Sequence, residues 1–184
     1  MLAPPFPAAA IAAARDAARL HLRVGGTAED ALLETHAATA LALCEAFTGQ
    51  ALIVRGWEAV LPAHGAWQRL PAAPVSAIGT VEGLSAAGNG FALPVDAYAV
   101  DIDASGEGWV RGTAAIAAGR IRIGYSAGLA GDWAALPPPL AQGVVLLTGH
   151  LFEARATGGA PPAAVAALWR PWRRVRLETV RRTA

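Results

Sequence analysis

The sequence predicts an α+β fold: a helical bundle of about four helices, with a small antiparallel β-domain inserted between the second and third long helices. Three observations predict it. Glu45-Ala-Phe-Thr-Gly-Gln-Ala-Leu-Ile-Val-Arg-Gly-Trp57 passes from the last turn of a helix, through a glycine stop at Gly49, straight into a strand. Near the other end, Arg120-Ile-Arg-Ile-Gly-Tyr-Ser-Ala-Gly128 leads through Leu136-Pro-Pro-Pro-Leu140 into a second long helix ending near Glu153-Ala-Arg155. Between these junctions lie roughly 75 residues of short apolar runs broken by turn residues. A chain of 184 residues can bury about 70% of its unfolded surface as one domain. The predicted division is 1–49 helical, 50–128 β-rich, 129–169 helical and 170–184 an arginine-rich tail.

Taken in order, Pro4-Pro-Phe-Pro7 is an extended lead-in and Ala8 to Leu22 a short helix, with Gly25-Gly26 supplying a left-handed cap. Thr27-Ala-Glu-Asp30 has the form of a capping box. The helix it opens carries Leu33, Ala37, Leu41, Cys44 and Phe47 at spacings of three and four, which defines one buried face. Leu52 to Leu61 is the first strand, with Val54, Trp57 and Val60 as its bulky positions. After the Pro62–Gly65 turn and the Pro71-Ala-Ala-Pro74 link, Val75 to Val81 is the second. Ala87-Gly-Asn-Gly90 is a hairpin turn. Phe91–Leu93, Tyr98–Ile102, Trp109-Val110 and Arg120–Tyr125 complete the sheet, with Asp103–Gly108 as a further turn. Ile121 and Ile123 alternate with Arg120, Arg122 and Gly124, giving one buried and one wet face. Proline at 137–139 suits a first helical turn, whose N–H groups lack helical partners anyway. Leu140, Val144, Leu147 and Leu151 form the core face of that helix, which Gly158-Gly159 ends. Pro161-Pro162 starts a short helix to about Trp169, and Pro171 stops it.

Composition excludes several classes. One cysteine allows no internal disulfide and no multi-cysteine metal site. No run approaches 18 uninterrupted apolar residues, and the apolar stretch Met1 to Ala14 has early prolines and no basic leader, so the chain reads as soluble. The chain contains no lysine, hence no phosphate-loop lysine. Gly88-Asn-Gly90 and Gly106-Glu-Gly108 lack the third glycine and following helix of a dinucleotide site. Ser76, Ser85, Ser105 and Ser126 lack a nucleophile-elbow setting. His21, His36, His64 and His150 have no metal-ligand spacing, and Asp96, Asp101, Asp103 and Glu107 read as turn-capping acids, the calcium-loop pattern being absent. Cys44 lies on an apolar helix face, the usual place of an inert thiol. No catalytic residue, metal site or cofactor is predicted, and the chain does not read as an enzyme.

What remains is surface. All fifteen basic residues are arginine; six (Arg170, Arg173, Arg174, Arg176, Arg181, Arg182) fall in the last fifteen positions against one acid, Glu178, while the rest has nine arginines against thirteen acids. A basic end on an acidic body fits an acidic partner or nucleic acid. Trp169 and Trp172 alternate with these arginines beyond the last core helix, and aromatic residues with arginine are the composition of protein–protein anchors. The same pairing grips nucleic acid in other settings, which makes a nucleic-acid-binding accessory protein the alternative reading.

The order of these parts resembles the small head–tail connector (adaptor) proteins of tailed phages and of phage-derived gene transfer agents. The resemblance rests on His21-Leu-Arg-Val24, the Glu45–Trp57 junction, Arg69-Leu-Pro-Ala-Ala-Pro-Val75 and Tyr98-Ala-Val-Asp101. It continues through Ile121–Gly128, the Pro137–Arg155 helix and Leu168-Trp-Arg-Pro-Trp-Arg173. It implies a structural role without turnover. Twelve copies would ring the portal exit in the particle neck, between portal and next neck or tail-terminator protein, after assembly in the bacterial cytoplasm. DNA would pass through an axial channel as cargo, and no membrane would be involved. In that setting Trp169, Arg170, Trp172, Arg173, Arg174, Arg176, Arg181 and Arg182 are the expected portal-docking residues. Truncation after Leu168 is expected to abolish docking and leave the fold intact.

Overall fold

The computed structural model describes residues 3–113, 119–154 and 159–174. Among them the chain is α+β, with four helices and two antiparallel sheets. The helices are α1 (Ala8–Leu22), α2 (Asp30–Thr48), α3 (Pro138–Glu153) and α4 (Ala163–Trp169). The strands are β1 (Arg55–Pro62), β2 (Gln68–Arg69), β3 (Val75–Leu84), β4 (Gly90–Ala92), β5 (Tyr98–Ile102), β6 (Gly108–Gly112) and β7 (Arg120–Ala127). One sheet has the order β1-β7-β3-β4, the other β2-β6-β5.

Helix α2 buries the face its spacing predicts, with Leu33, Ala37, Leu41 and Cys44 all inaccessible. Gly49 then takes the left-handed conformation (φ 68°, ψ 24°) that a side chain would strain, and its N–H closes on Glu45 O. In α3, Leu140, Val144 and Leu147 join this core. The helix runs to Glu153 with Ala154 as its cap; the glycine stop expected at 158–159 falls partly outside the described residues. A second apolar cluster fills the β region: Ala59, Leu70, Val75, Val81, Val110, Ile121, Ile123, Tyr125 and Ala127. The alternation read at Ile121 and Ile123 runs on through Tyr125 and Ala127.

Two local expectations need correcting. Arg23, not Gly25 or Gly26, is the left-handed cap of α1 (φ 56°, ψ 32°). The Thr27–Asp30 capping box does not form: α2 starts at Asp30 without a side-chain cap, and the Asp30 carboxylate accepts from Arg19 of α1 at 2.7 Å. An ion pair between helices has taken the group a cap would use. In β1, Val60 is 44% exposed, because the inward positions are Arg55, Trp57, Ala59 and Leu61. A period of two puts Val60 on the face opposite Ala59.

Candidate docking segment and the junction that holds it

The helix–strand junction at Glu45–Trp57 is closed by a buried ion pair. Arg55, the first residue of β1, is buried and meets Glu45 in a two-pronged pair, Nη1–Oε1 and Nη2–Oε2 both at 2.8 Å. Its Nε donates to Pro4 O at 3.1 Å and Nη1 to Ile53 O at 3.1 Å. The guanidinium lies between the rings of Phe6 (4.4 Å) and Trp57 (4.5 Å). Glu45 Oε1 also accepts from Leu52 N at 2.7 Å. A buried charge persists only when paired and hydrogen-bonded. Here one pair ties the lead-in, the end of α2 and the start of β1 together.

Next to this junction runs the C-terminal segment. Helix α4 has only seven residues, too few to be stable alone, and packing holds it. Its last residue, Trp169, is 3% exposed. The indole lies against Phe47 (5.9 Å between centroids, planes 55° apart), and its Nε1 donates to Leu140 O at 3.3 Å. It occupies the space left by the missing side chain of Gly143 in α3. Trp169 therefore belongs to the core. The expectation that it lies beyond the last core helix is corrected, and a chain ending at Leu168 would lack this core side chain.

A 3-10 turn, Arg170–Trp172, follows. Arg170 is exposed; Trp172 is half-buried against the helical core, and its carbonyl accepts from the Gln50 amide. The Arg173 guanidinium is exposed and lies 6.0 Å from the Phe47 ring. Arg174 binds both regions: its N–H donates to Thr48 O at 2.8 Å, while its guanidinium donates to Ser105 O at 2.8 Å and to Glu107 at 3.4 Å. Arg69 faces the same carboxylate at 3.8 Å. Of the predicted docking set, Trp169 to Arg174 are thus one continuous clamp on the body, with Arg170, Trp172 and Arg173 reaching its surface. Arg176, Arg181 and Arg182 lie outside the described residues. Beside the clamp, α2 and α4 enclose an open apolar groove of about 490 Å³ lined by Leu43, Phe47, Leu147, Val165 and Trp169.

The acidic turn behaves as a turn. Asp103 Oδ1 accepts from Ser105 N, Ser105 Oγ and Glu107 N, and Oδ2 accepts from Trp109 Nε1 at 3.0 Å. The Ser105 hydroxyl first, then Trp109 and the Glu107 amide, hold its carboxyl well below the ordinary value. Burial pushes the Cys44 thiol up, away from the thiolate form. Among the described residues, no three His, Cys, Asp or Glu side chains come together as metal ligands, and no helix is long and apolar enough to cross a membrane.

Sequence reasoning missed Gln50, Gly143, Ser105 and Glu107 as holders of the segment. Gly143 had a visible signal, a glycine in a helix interior one turn after Leu140. The others contact residues more than sixty positions away, which no local pattern encodes.

No protein-family model and no curated protein matches the chain. Solved structures do. Over 98% of this chain and all of the other, it is 33% identical, with a TM-score of 0.79, to a chain in the neck of an empty GTA particle computed with C6 symmetry. A chain in the virion of a native gene transfer agent (GTA) particle is similar at 33% identity and a TM-score of 0.72, over 96% of this chain and 95% of that one. A third, in the neck of a native GTA particle computed with C12 symmetry, is 32% identical with a TM-score of 0.75, over 98% and 100%. Fold, surface and likeness define the class: a structural component of a particle neck. The chain belongs to the head–tail adaptor family of gene transfer agents.

Proposed function

We propose that this chain is the head–tail adaptor of a gene transfer agent or related phage particle, and that copies of it, twelve in number, ring the portal exit. The ring joins portal to the next neck or tail-terminator protein and leaves an axial channel for DNA. The role is mechanical and adhesive, without catalytic turnover or cofactor, in a particle assembled in the bacterial cytoplasm. In this reading the chain is a single connector domain, its helices a bundle and its β region an inserted module. One observation carries the proposal: likeness over essentially the full length of a neck chain at 33% identity.

The C-terminal segment is the docking element. Trp169 roots it in the core, Arg174 pins it to the turn at Ser105 and Glu107, and Arg170, Trp172, Arg173 and the arginines at 176, 181 and 182 meet the portal. A partly buried tryptophan flanked by arginines is the composition of an interface hot spot. The test is native mass of the full chain, and of a chain ending at Arg174, each mixed with the candidate portal ring at moderate salt. The full chain should shift the ring to a defined larger complex. The shortened chain keeps the clamp, so it should melt like the full chain and bind the portal at least about tenfold more weakly. Equal binding by the two removes the arginines at 176, 181 and 182 from the docking element. No complex for either, with tight salt-sensitive binding to DNA instead, favours the nucleic-acid accessory role.

A further inference from the structure

Two surface patches are complementary to one another. The first is the outer edge of the three-stranded sheet. There β5 has no neighbour on one side, and the edge with the turn before it exposes Val95, Val100 and Ile102, Val95 at 84%. Asp96 is exposed in the turn, and Asp101 is exposed on the face of β5 opposite Val100 and Ile102, so the edge carries aliphatic side chains on one side and a carboxylate on the other. The second is the groove between α2 and α4, whose rim residue Leu43 is 46% exposed; exposed Arg170 directly follows its lining residue Trp169 in the chain, and the Arg173 guanidinium lies 6.0 Å from the ring of its lining residue Phe47. None of these four charges has an ion-pair partner among the described residues.

One patch is apolar with carboxylates, the other apolar with guanidinium groups, and both are on the same chain. A contact between two different patches of identical chains is heterologous, and it generates a ring when its rotation closes. The similar chains come from necks computed with C6 and C12 symmetry. We propose that the β5 edge of one copy seats in the α2–α4 groove of the next, with Asp96 and Asp101 opposite Arg170 and Arg173. The aliphatic side chains supply the buried area, and the charges fix partner and register. This rests on the ring reading above and divides its docking element: Arg170 and Arg173 face the neighbouring copy, leaving the portal to Trp172 and the arginines after Arg174.

The test is sedimentation of the purified full chain in a concentration series reaching the millimolar range, at low and moderate salt. Asp96→Arg/Asp101→Arg and Arg170→Glu/Arg173→Glu each put like charges across the contact. Each variant alone should associate at least about tenfold more weakly than wild type. An equimolar mixture, and the chain carrying all four changes, should regain wild-type association. Val95→Ser, also at an exposed position, should weaken it without adding charge opposite the basic patch. Thermal melts identical to wild type show that the variants fold. Three results overturn the proposal: single variants that associate as wild type does, a mixture that stays monomeric while wild type associates, or a wild-type chain monomeric throughout. No readout involves the portal. Loss of portal binding would therefore count against the proposed function alone, and failure of the mixture against this contact alone.

Discussion

A glycine-to-alanine change inside a helix normally stabilises by about 1 kcal/mol. Gly143 of α3 should do the opposite. A Cβ there would lie 2.1 Å from Trp169 Nε1, 2.7 Å from Cε2 and 2.8 Å from Cδ1. The indole cannot retreat without giving up its packing on Phe47 and the Nε1 hydrogen bond to Leu140 O. Displacing it incurs overpacking strain of about 1–3 kcal/mol and the loss of a hydrogen bond of about 1 kcal/mol. Set against the helix gain, Gly143→Ala should destabilise by about 1–3 kcal/mol, which lowers Tm by roughly 2–12 °C for a chain this long. Gly149 is the control in the same helix. A Cβ there meets Leu22 at 3.5 Å and His21 at 3.6 Å, ordinary contact distances. Gly149→Ala should therefore gain about 0.5–1 kcal/mol. Thermal and urea unfolding of both variants decide the matter. In a Trp169→Ala background, itself about 3–5 kcal/mol less stable, Gly143→Ala should become neutral or stabilising, because the obstruction is gone. A Gly143→Ala chain that melts at or above wild type refutes the placement of Trp169.

Arg55→Met should cost about 3–5 kcal/mol in urea unfolding, because it strands the Glu45 carboxylate in a largely buried site; a loss under about 1 kcal/mol contradicts a buried pair at this junction. Adding Glu45→Leu to it should recover part of that loss, since no lone charge is then left behind. The Asp103 carboxyl is held below its ordinary value, so the unfolded chain takes up that proton first as pH falls. Its contribution is complete above the ordinary carboxylate range and drains away as pH drops toward the lower folded value. Asp103→Asn should thus flatten the acid limb of the stability curve below about pH 4, and an unchanged limb would show that the turn does not depend on this charge.

The parts of the fold that were legible follow short-range rules. The period of α2, the Gly49 stop, the alternation of β7 and the hairpin turn at 87–90 each depend on residues within a few positions of one another. The errors arose where a distant partner claimed a group. Arg19 took the carboxylate of Asp30 from the expected capping box, and it lies in a different helix. The placement of Trp169 outside the core came from its neighbours Arg170 and Trp172, whereas its position is set by Gly143, twenty-six residues earlier. Composition near the C-terminus singled out the segment; which members face inward was not legible, because burial of one indole depends on a vacancy in another helix.

That vacancy also bears on how the docking segment proposed above would carry load. An arginine–tryptophan tail joined to the body by one helix end would transmit force through the backbone alone. Here the segment is held at three places: Trp169 in the helical core, the Trp172 carbonyl at Gln50, and Arg174 at Thr48, Ser105 and Glu107. Gln50 and Thr48 lie within the α2–β1 junction that Glu45 and Arg55 close, and Ser105 and Glu107 in the β5–β6 turn. A pull on residues beyond 174 would then be shared between the helical core and the β5–β6 turn. The polar groups of the clamp are consistent with this use, since each hydrogen bond is directional and fixes an orientation that apolar contact alone leaves free.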